Sequence, residues 1–288
     1  MRSDACHMII DAHQHFWDLS RTDYAWLTAA AGILYRSYGP PDLIPTLRHH
    51  GVTATVLVQA APSEAETHYL FDLARVHPFI AGVIGWVDFE APEVERRIAA
   101  LIAAGGGILK GLRPMIQDIA DPQWVSRPEL DDAFDAMCTH DLVFDALIRP
   151  VHLPALRARL ERHARLRVVL DHAAKPAIKT REFAGWANEM SAIARASQVH
   201  CKLSGLLTEA GSGQAWTDIE PYVDHVFACF GPHRVLWGSD WPVLNVVSDY
   251  SQWLRISREM VERFASGFRD EVLAHNAVRI YGLKVSEA

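Results

Sequence analysis

The sequence has no cysteine pair at metal-binding spacing. Its four cysteines, Cys6, Cys138, Cys201 and Cys229, lie far apart and none belongs to a CxxC. That excludes a cysteine-held structural zinc and a disulfide scaffold, and it reads as reduced thiols of a cytoplasmic protein. No run of Lys and Arg exceeds two residues and the formal net charge is −7. The basic footprint that nucleic-acid binding requires is therefore missing. No uncharged apolar stretch approaches the roughly 18 residues of a membrane span. Residues 1–7 lack the apolar centre of a secretory signal and read as a flexible N-terminal extension. No G-x-G-x-x-G follows an early strand, which argues against a dinucleotide-binding sheet. The glycine run Gly105–Gly107 lacks a following Lys-Ser/Thr and is a helix stop rather than a P-loop.

Hydrophobic residues supply 50% of the 288 positions and charged residues 22%, the balance of a globular protein with a large core. Eight short apolar runs recur, at 8–11, 53–59, 80–87, 108–114, 142–148, 167–170, 198–203 and 234–237. They are rich in Val, Ile and Leu and mostly lack polar alternation, as strands buried on both faces do. The segments between them are helical in pattern. Ser63 and Glu66 have capping-box spacing before Tyr69, Leu70 and Leu73, and Thr217 and Glu220 repeat it before Val223 and Val226. Eight strands with helical crossovers predict an α/β fold, a (β/α)8 TIM barrel, as one domain over residues 1–288. Two long irregular segments, 16–41 and 204–217, are expected to be functional loops.

In such a barrel, polar residues at the C-terminal ends of strands build the active site. Strand one ends in Asp-Ala-His13-Gln-His15. Residues two apart on a strand share a side, so the two imidazoles project together toward one metal ion or one polar group. Strand two ends near Gln59. Strand four carries Lys110 and Arg113 inside the apolar pattern Ile108-Leu-Lys-Gly-Leu-Arg-Pro114. A charge there needs a partner or a ligand, which favours function for both. Strand five carries Asp145, which pairs with a neighbouring cation or serves the site, and Lys202 on strand seven has the same two readings. Strand six ends in Asp171 and His172, with Lys175 and, from strand four, Gln117 just beyond. Strand eight ends in Ser239 and Asp240 within the apolar frame Trp237, Trp241 and Pro242. That frame is expected to raise the Asp240 pKa and so improve it as a base near neutral pH. Ser239 lacks the G-x-S-x-G elbow, so an acyl-enzyme is not expected.

His-x-His after strand one, a histidine after strand six and an aspartate after strand eight resemble the constellation of the amidohydrolase superfamily. Ile10-Asp-Ala-His-Gln-His-Phe-Trp17, Tyr24-Ala-Trp-Leu27, Leu170-Asp-His-Ala-Ala-Lys-Pro176, Lys202-Leu-Ser-Gly205 and Trp237-Gly-Ser-Asp-Trp-Pro242 look like its sugar-lactonase branch. The resemblance runs from Ile9 to Tyr281. It implies hydrolysis of a sugar 1,4- or 1,5-lactone, such as L-fuconolactone or a close analogue, to the aldonic acid. It also implies Asp240 as the base toward water and His172 as the group that orients or polarises the substrate. His13 and His15 match the metal ligands of strand one.

The strand-five ligand histidine of metal-dependent relatives is replaced here by Asp145. Catalytic zinc takes three protein ligands, and His13, His15 and Asp240 are the three on offer. One divalent metal, Zn2+, is thus implied, with chemistry independent of it left open. Arg113, Lys110, His13 and His15 are the expected polarising or substrate-binding groups, with Gln59. Trp26 and Trp241 are expected to pack their flat faces on the sugar, whereas Trp186 and Trp253 belong to the core. Two other readings remain: a metal-dependent decarboxylase or another cyclic ester or amide hydrolase, and a barrel that binds without catalysis.

Overall fold

The structure is a computed structural model that describes residues 8–213 and 215–285. The expected extension at 1–7, with Cys6, lies outside the described residues. Eight strands form one parallel sheet in the order β1 to β8. They are β1 (Ile10–Gln14), β2 (Ala54–Val58), β3 (Ile80–Gly85), β4 (Leu109–Leu112), β5 (Val143–Ala146), β6 (Arg167–Leu170), β7 (His200–Leu203) and β8 (Val235–Trp237). Each lies within or against one of the eight expected runs, and the expected barrel is the observed one. Closure between β8 and β1 is made beyond β8, through a parallel bridge between Gln14 and Trp241.

Helices α1 (Pro40–His50), α2 (Glu64–Val76), α3 (Val94–Gly105), α4 (Asp131–Thr139), α5 (Leu153–Arg162) and α6 (Ala184–Ala196) follow the first six strands. A short α7 (Leu206–Ala210) and α8 (Glu220–Phe230) follow β7, and α9 (Tyr250–Phe264) and α10 (Asn276–Tyr281) follow β8. Inside the barrel, Ile10, Ala12, Val56, Val58, Ile84, Val143, Val169 and Leu236 pack together, with Ala277, Ile280, Tyr281 and Leu283 of the C-terminal segment. The outward faces of the strands pack against the helices in the larger core cluster, which includes Trp186 and Trp253 as expected.

Both capping patterns resolve differently from the sequence expectation. Ser63 Oγ does accept from the Glu66 amide at 3.2 Å. The Glu66 carboxylate, however, reaches the amides of Ala60 and Ala61 at 2.9 Å rather than Ser63, so it fastens the loop after β2. Thr217 lies in a 3-10 turn, and α8 begins after Ile219 without a side-chain cap. Glu220 pairs with Arg263 of α9 instead. No helix among the described residues is long and apolar enough to cross a membrane.

Candidate active site

The histidine pair depends on an irregularity in β1. Asp11 is opposite Thr55 but Gln14 is opposite Leu57, so β1 carries one extra residue between them. Such a bulge re-aims side chains near functional sites. Before it, Ile10 and Ala12 face the barrel interior while Asp11 turns outward to the Tyr250 hydroxyl of α9 at 3.0 Å. After it, His13 also faces inward, its Nε2 at 3.1 Å from Nε2 of His15.

Asp240 closes the group from β8. Its Oδ1 lies 3.4 Å from His15 Nε2, 3.6 Å from His13 Nε2 and 3.9 Å from His172 Nε2. The backbone that positions it also closes the barrel. The Asp240 amide donates to the His13 carbonyl at 2.8 Å, and the His15 amide donates to the Trp241 carbonyl at 2.7 Å. Asp240 sits at φ 58°, a conformation that costs a non-glycine residue of order 1–3 kcal/mol and persists where its surroundings enforce it. His172 opens a run through Lys175 with φ between 49° and 58°. Its Nδ1 is 2.9 Å from Ser204 Oγ of the loop after β7.

Beneath this layer is a buried charge cluster. The Lys202 ammonium meets Asp145, lies 2.9 Å from Asp171 Oδ1, and is 3.1 Å from His13 Nδ1. Tyr281 donates to the other oxygen of Asp145 at 2.8 Å. Arg113 extends between the layers, 3.4 Å from Asp171 and 3.5 Å from His13 Nε2. Gln59 holds it: the Gln59 backbone and side-chain oxygens accept from Arg113, and Gln59 Nε2 donates to the Arg113 carbonyl at 2.8 Å.

Electrostatics overturn the expectation for Asp240. Burial alone would raise its carboxyl, as the apolar frame suggested. His172, the hydrogen bond from His15, and His13 outweigh burial and hold it well below the usual carboxylate range. Burial pushes the His172 imidazole down to about 4, against the pull of Asp240 and Asp171. Burial, with the Lys202 cation beside it, likewise holds His13 well below the usual range. His13 and His172 are thus neutral beside an ionised Asp240 near pH 7. Burial pushes Asp145 up against the pull of Lys202, whereas Asp171 is held down, burial being outweighed by Lys202, His13 and Arg113.

A cleft of about 260 Å3 opens above the cluster. His15, Arg113, His172 and Asp240 reach it, walled by Trp17, Trp26, Met115, Leu147 and Val243. Gln117, Asp118 and Lys175 add polar groups, and Gln117 Oε1 is buried with no hydrogen-bond partner. Trp26 lines the cleft, with its indole N–H fixed on the Ala60 carbonyl at 2.7 Å. Two other expectations shift. Lys110 stands near the start of β4, at the opposite end from Arg113, and its Nζ reaches the Gly282 carbonyl at 3.3 Å. Trp241 is outside the cleft lining and packs edge-on against Phe16 and Tyr38, where it buttresses the loop carrying Asp240. Met115, Asp118 and Leu147 escaped the sequence reading, although each lies a few residues beyond a strand whose end was already marked.

The donor set fits one metal ion. His13, His15 and Asp240 offer ligand atoms within 4.8 Å of one another. His15 Nδ1 lies 2.8 Å from the Val58 carbonyl, which fixes that nitrogen as the donor and frees Nε2 for the centre. Three is the number of protein ligands that a catalytic zinc takes.

The chain is 45% identical over 276 residues to an L-fucono-1,5-lactonase of Burkholderia ambifaria, covering 94% of each chain. It is 36% identical over 290 residues to an L-fucono-1,5-lactonase of Burkholderia multivorans, covering 95% of this chain and 96% of that one. A crystal structure of an amidohydrolase from Burkholderia multivorans with bound zinc superposes with a TM-score of 0.90 at 35% identity, over 96% of this chain and all of the other. The model of the amidohydrolase family matches residues 10–283, and this chain belongs to that family.

Proposed function

We propose that the protein is a lactonase that hydrolyses a sugar 1,5-lactone, L-fucono-1,5-lactone or a close analogue, to the aldonic acid. The observation that carries this is one ionised carboxylate, Asp240, facing three imidazoles at the floor of a cleft with tryptophan walls. The names of the Burkholderia relatives support the same reading.

Asp240 is the base. Because its carboxyl is held low, it is ionised near neutral pH. It is also a weak proton acceptor at rest, so the burden of catalysis falls on stabilising charge at the carbonyl. Water gives a proton to Asp240 as its oxygen bonds to the lactone carbonyl carbon. Arg113 donates toward the developing oxyanion, and neutral His172, braced on Ser204, orients the ring. Collapse breaks the ring C–O bond, and the proton on Asp240 passes to the departing alkoxide. Water and lactone thereby become a hydroxy acid, with no net proton until the acid ionises in solution. Trp26, 40% exposed, offers ring surface to the sugar.

A divalent ion on His13, His15 and Asp240 would polarise the carbonyl or acidify a bound water. To ligate it, His13 must present the Nε2 lone pair, which requires its Nδ1 proton to face Asp171. Lys202, closer to that nitrogen, favours the opposite tautomer. The chemistry assigned to this chain's own residues is therefore complete without the ion.

The test is turnover of a panel of aldonolactones followed by proton release, with metal content measured on the same sample. Hydrolysis of L-fucono-1,5-lactone that is lost in Asp240→Asn is the expected result. Absence of turnover on every sugar lactone overturns the reading.

A further inference from the structure

A second cleft, of about 400 Å3, adjoins the catalytic one and shares Trp26, Met115 and Asp118 with it. Its volume is within the range of small-molecule sites. It is built from the segments that follow β1 to β4, and nothing in the proposed chemistry uses it. Trp86, Phe89 and Trp124 form its aromatic wall, and its charged lining is entirely acidic: Asp23, Asp88, Glu90 and Asp118.

The lining discriminates between ligand classes. An anion would face four carboxylates and no Lys or Arg among the lining residues. A purely apolar group would strand those carboxylates. Asp23 and Glu90 are paired with Arg21 and Arg127, at 2.7 and 3.3 Å. Asp88 and Asp118 have no ion-pair partner among the described residues and keep free acceptor capacity. Trp26 has already committed its N–H to Ala60. Trp124 is 4% exposed, and its Nε1 is buried without a hydrogen-bond partner. That N–H is sealed from the cleft, so Trp124 contributes only ring surface. An organic cation would suit the carboxylates and the rings, but it has no link to the sugar lactone of the adjoining cleft. A neutral polyhydroxylated ring joined to that lactone places C–H faces on the indoles and hydroxyl protons on Asp88 and Asp118.

We infer that this cleft is a subsite for a second, neutral sugar ring linked to the lactone, so that the enzyme accepts glycosylated aldonolactones. The inference rests on the lactonase reading of the adjoining site. The glycosidic link passes the shared wall of Trp26, Met115 and Asp118, and the lactone carbonyl stays at Asp240.

The test compares D-glucono-1,5-lactone with cellobiono-, lactobiono- and maltobiono-1,5-lactone, which carry the same lactone ring with and without a second sugar. Binding is measured by calorimetry on freshly prepared ligand and on the Asp240→Asn protein, so it is read independently of turnover. At least one of the three should bind about tenfold or more tightly than D-glucono-1,5-lactone. Trp86→Ala or Trp124→Phe, placed in the same background, should remove that advantage. In the otherwise unaltered enzyme, the same two substitutions should leave turnover of L-fucono-1,5-lactone within about twofold. Trp124→Phe keeps an aromatic ring in the wall while removing the pyrrole part of the indole, and circular dichroism on both variants guards against one that merely misfolds. Equal binding of the one-ring and two-ring lactones overturns the inference, as does an advantage that survives both substitutions. An enzyme that hydrolyses no simple lactone overturns the lactonase reading instead, and leaves the calorimetric comparison standing.

Discussion

The ammonium of Lys202 stands 3.1 Å from Nδ1 of His13, with both side chains fully buried. Lys202 neutralises Asp145 and Asp171 from one position and faces the nitrogen of His13 that does not look toward the cleft. Replacing it leaves Asp145 in the barrel interior without a cation and Asp171 with Arg113 alone, 3.4 Å away. Breaking a buried ion pair from one side costs about 3–5 kcal/mol. Lys202→Met should therefore lower unfolding stability in urea by that order, and adding Asp145→Asn should restore part of it. A Lys202→Met protein as stable as the parent would show that the cluster contributes nothing.

Asp240→Asn removes the proton acceptor and leaves its shape. General-base removal costs about 10²–10⁴ in rate, so kcat on L-fucono-1,5-lactone should fall within that span. Circular dichroism should show the fold intact. A variant that retains full turnover would remove Asp240 from the role of base.

His172 supplies a pH prediction. Its conjugate acid is pushed down to about 4 in the folded state by burial, against an ordinary value near 6.5. Between those values the unfolded chain binds a proton that the native protein does not. Stability is therefore lost as pH falls from about 6.5 toward 4. His172→Asn should flatten this part of the curve relative to the parent, as read by urea unfolding at a series of pH values. The kcat/KM of the parent should also persist below pH 6, because neutral His172 persists there. An acid limb that tracks a His172 pKa near 6.5 in an NMR titration would contradict the burial argument.

The strands were legible because parallel strands buried on both faces are continuous apolar runs, whatever surrounds them. The cluster at their C-terminal ends followed from barrel geometry and the polar residues there. Three things depend on contacts far apart in the chain. The bulge that turns His13 inward is a mismatch between β1 and β2, and neither strand records it alone. Lys110 and Arg113 occupy one apolar pattern, but three residues carry the chain from one end of β4 to the other, and only Arg113 reaches the cleft. The local frame of Asp240 is apolar, as read. The imidazoles that reverse its pKa arrive from β1, more than 220 residues earlier, and from the turn after β6.

Gly205 and Gly238 report how tightly the imidazoles are seated. A Cβ on Gly205 would lie 2.5 Å from His172 Nδ1, at a φ of +65°. One on Gly238 would lie 2.6 Å from the His13 Cβ. Either alanine must displace its histidine, and a shift of about 1 Å at a reacting geometry can cost on the order of a hundredfold. Both variants should lose kcat by about tenfold or more. Gly205→Ala should also lose metal-independent turnover, because His172 is outside the three-ligand set. Unchanged kinetics in both would mean that the histidines tolerate displacement.

Metal removal is the sharpest division between the two ways this site can run. Three candidate donor atoms lie within 4.8 Å of one another, and a relative with bound zinc has the same fold at 35% identity. Against ligation, the Lys202 ammonium lies 3.1 Å from His13 Nδ1, which favours the proton on Nε2, and the Arg113 guanidinium lies 3.5 Å from Nε2. A second cation there must overcome both charges, whereas the oxyanion already has Arg113 as a donor. Exhaustive chelation, verified by elemental analysis, should therefore leave turnover of L-fucono-1,5-lactone within about threefold of the untreated enzyme, a difference below 1 kcal/mol. Added zinc should bind the stripped protein and protect it against unfolding by mass action without raising kcat. A loss greater than about tenfold that zinc restores would reverse the assignment and make the ion, rather than Arg113, the group that carries the charge of the transition state.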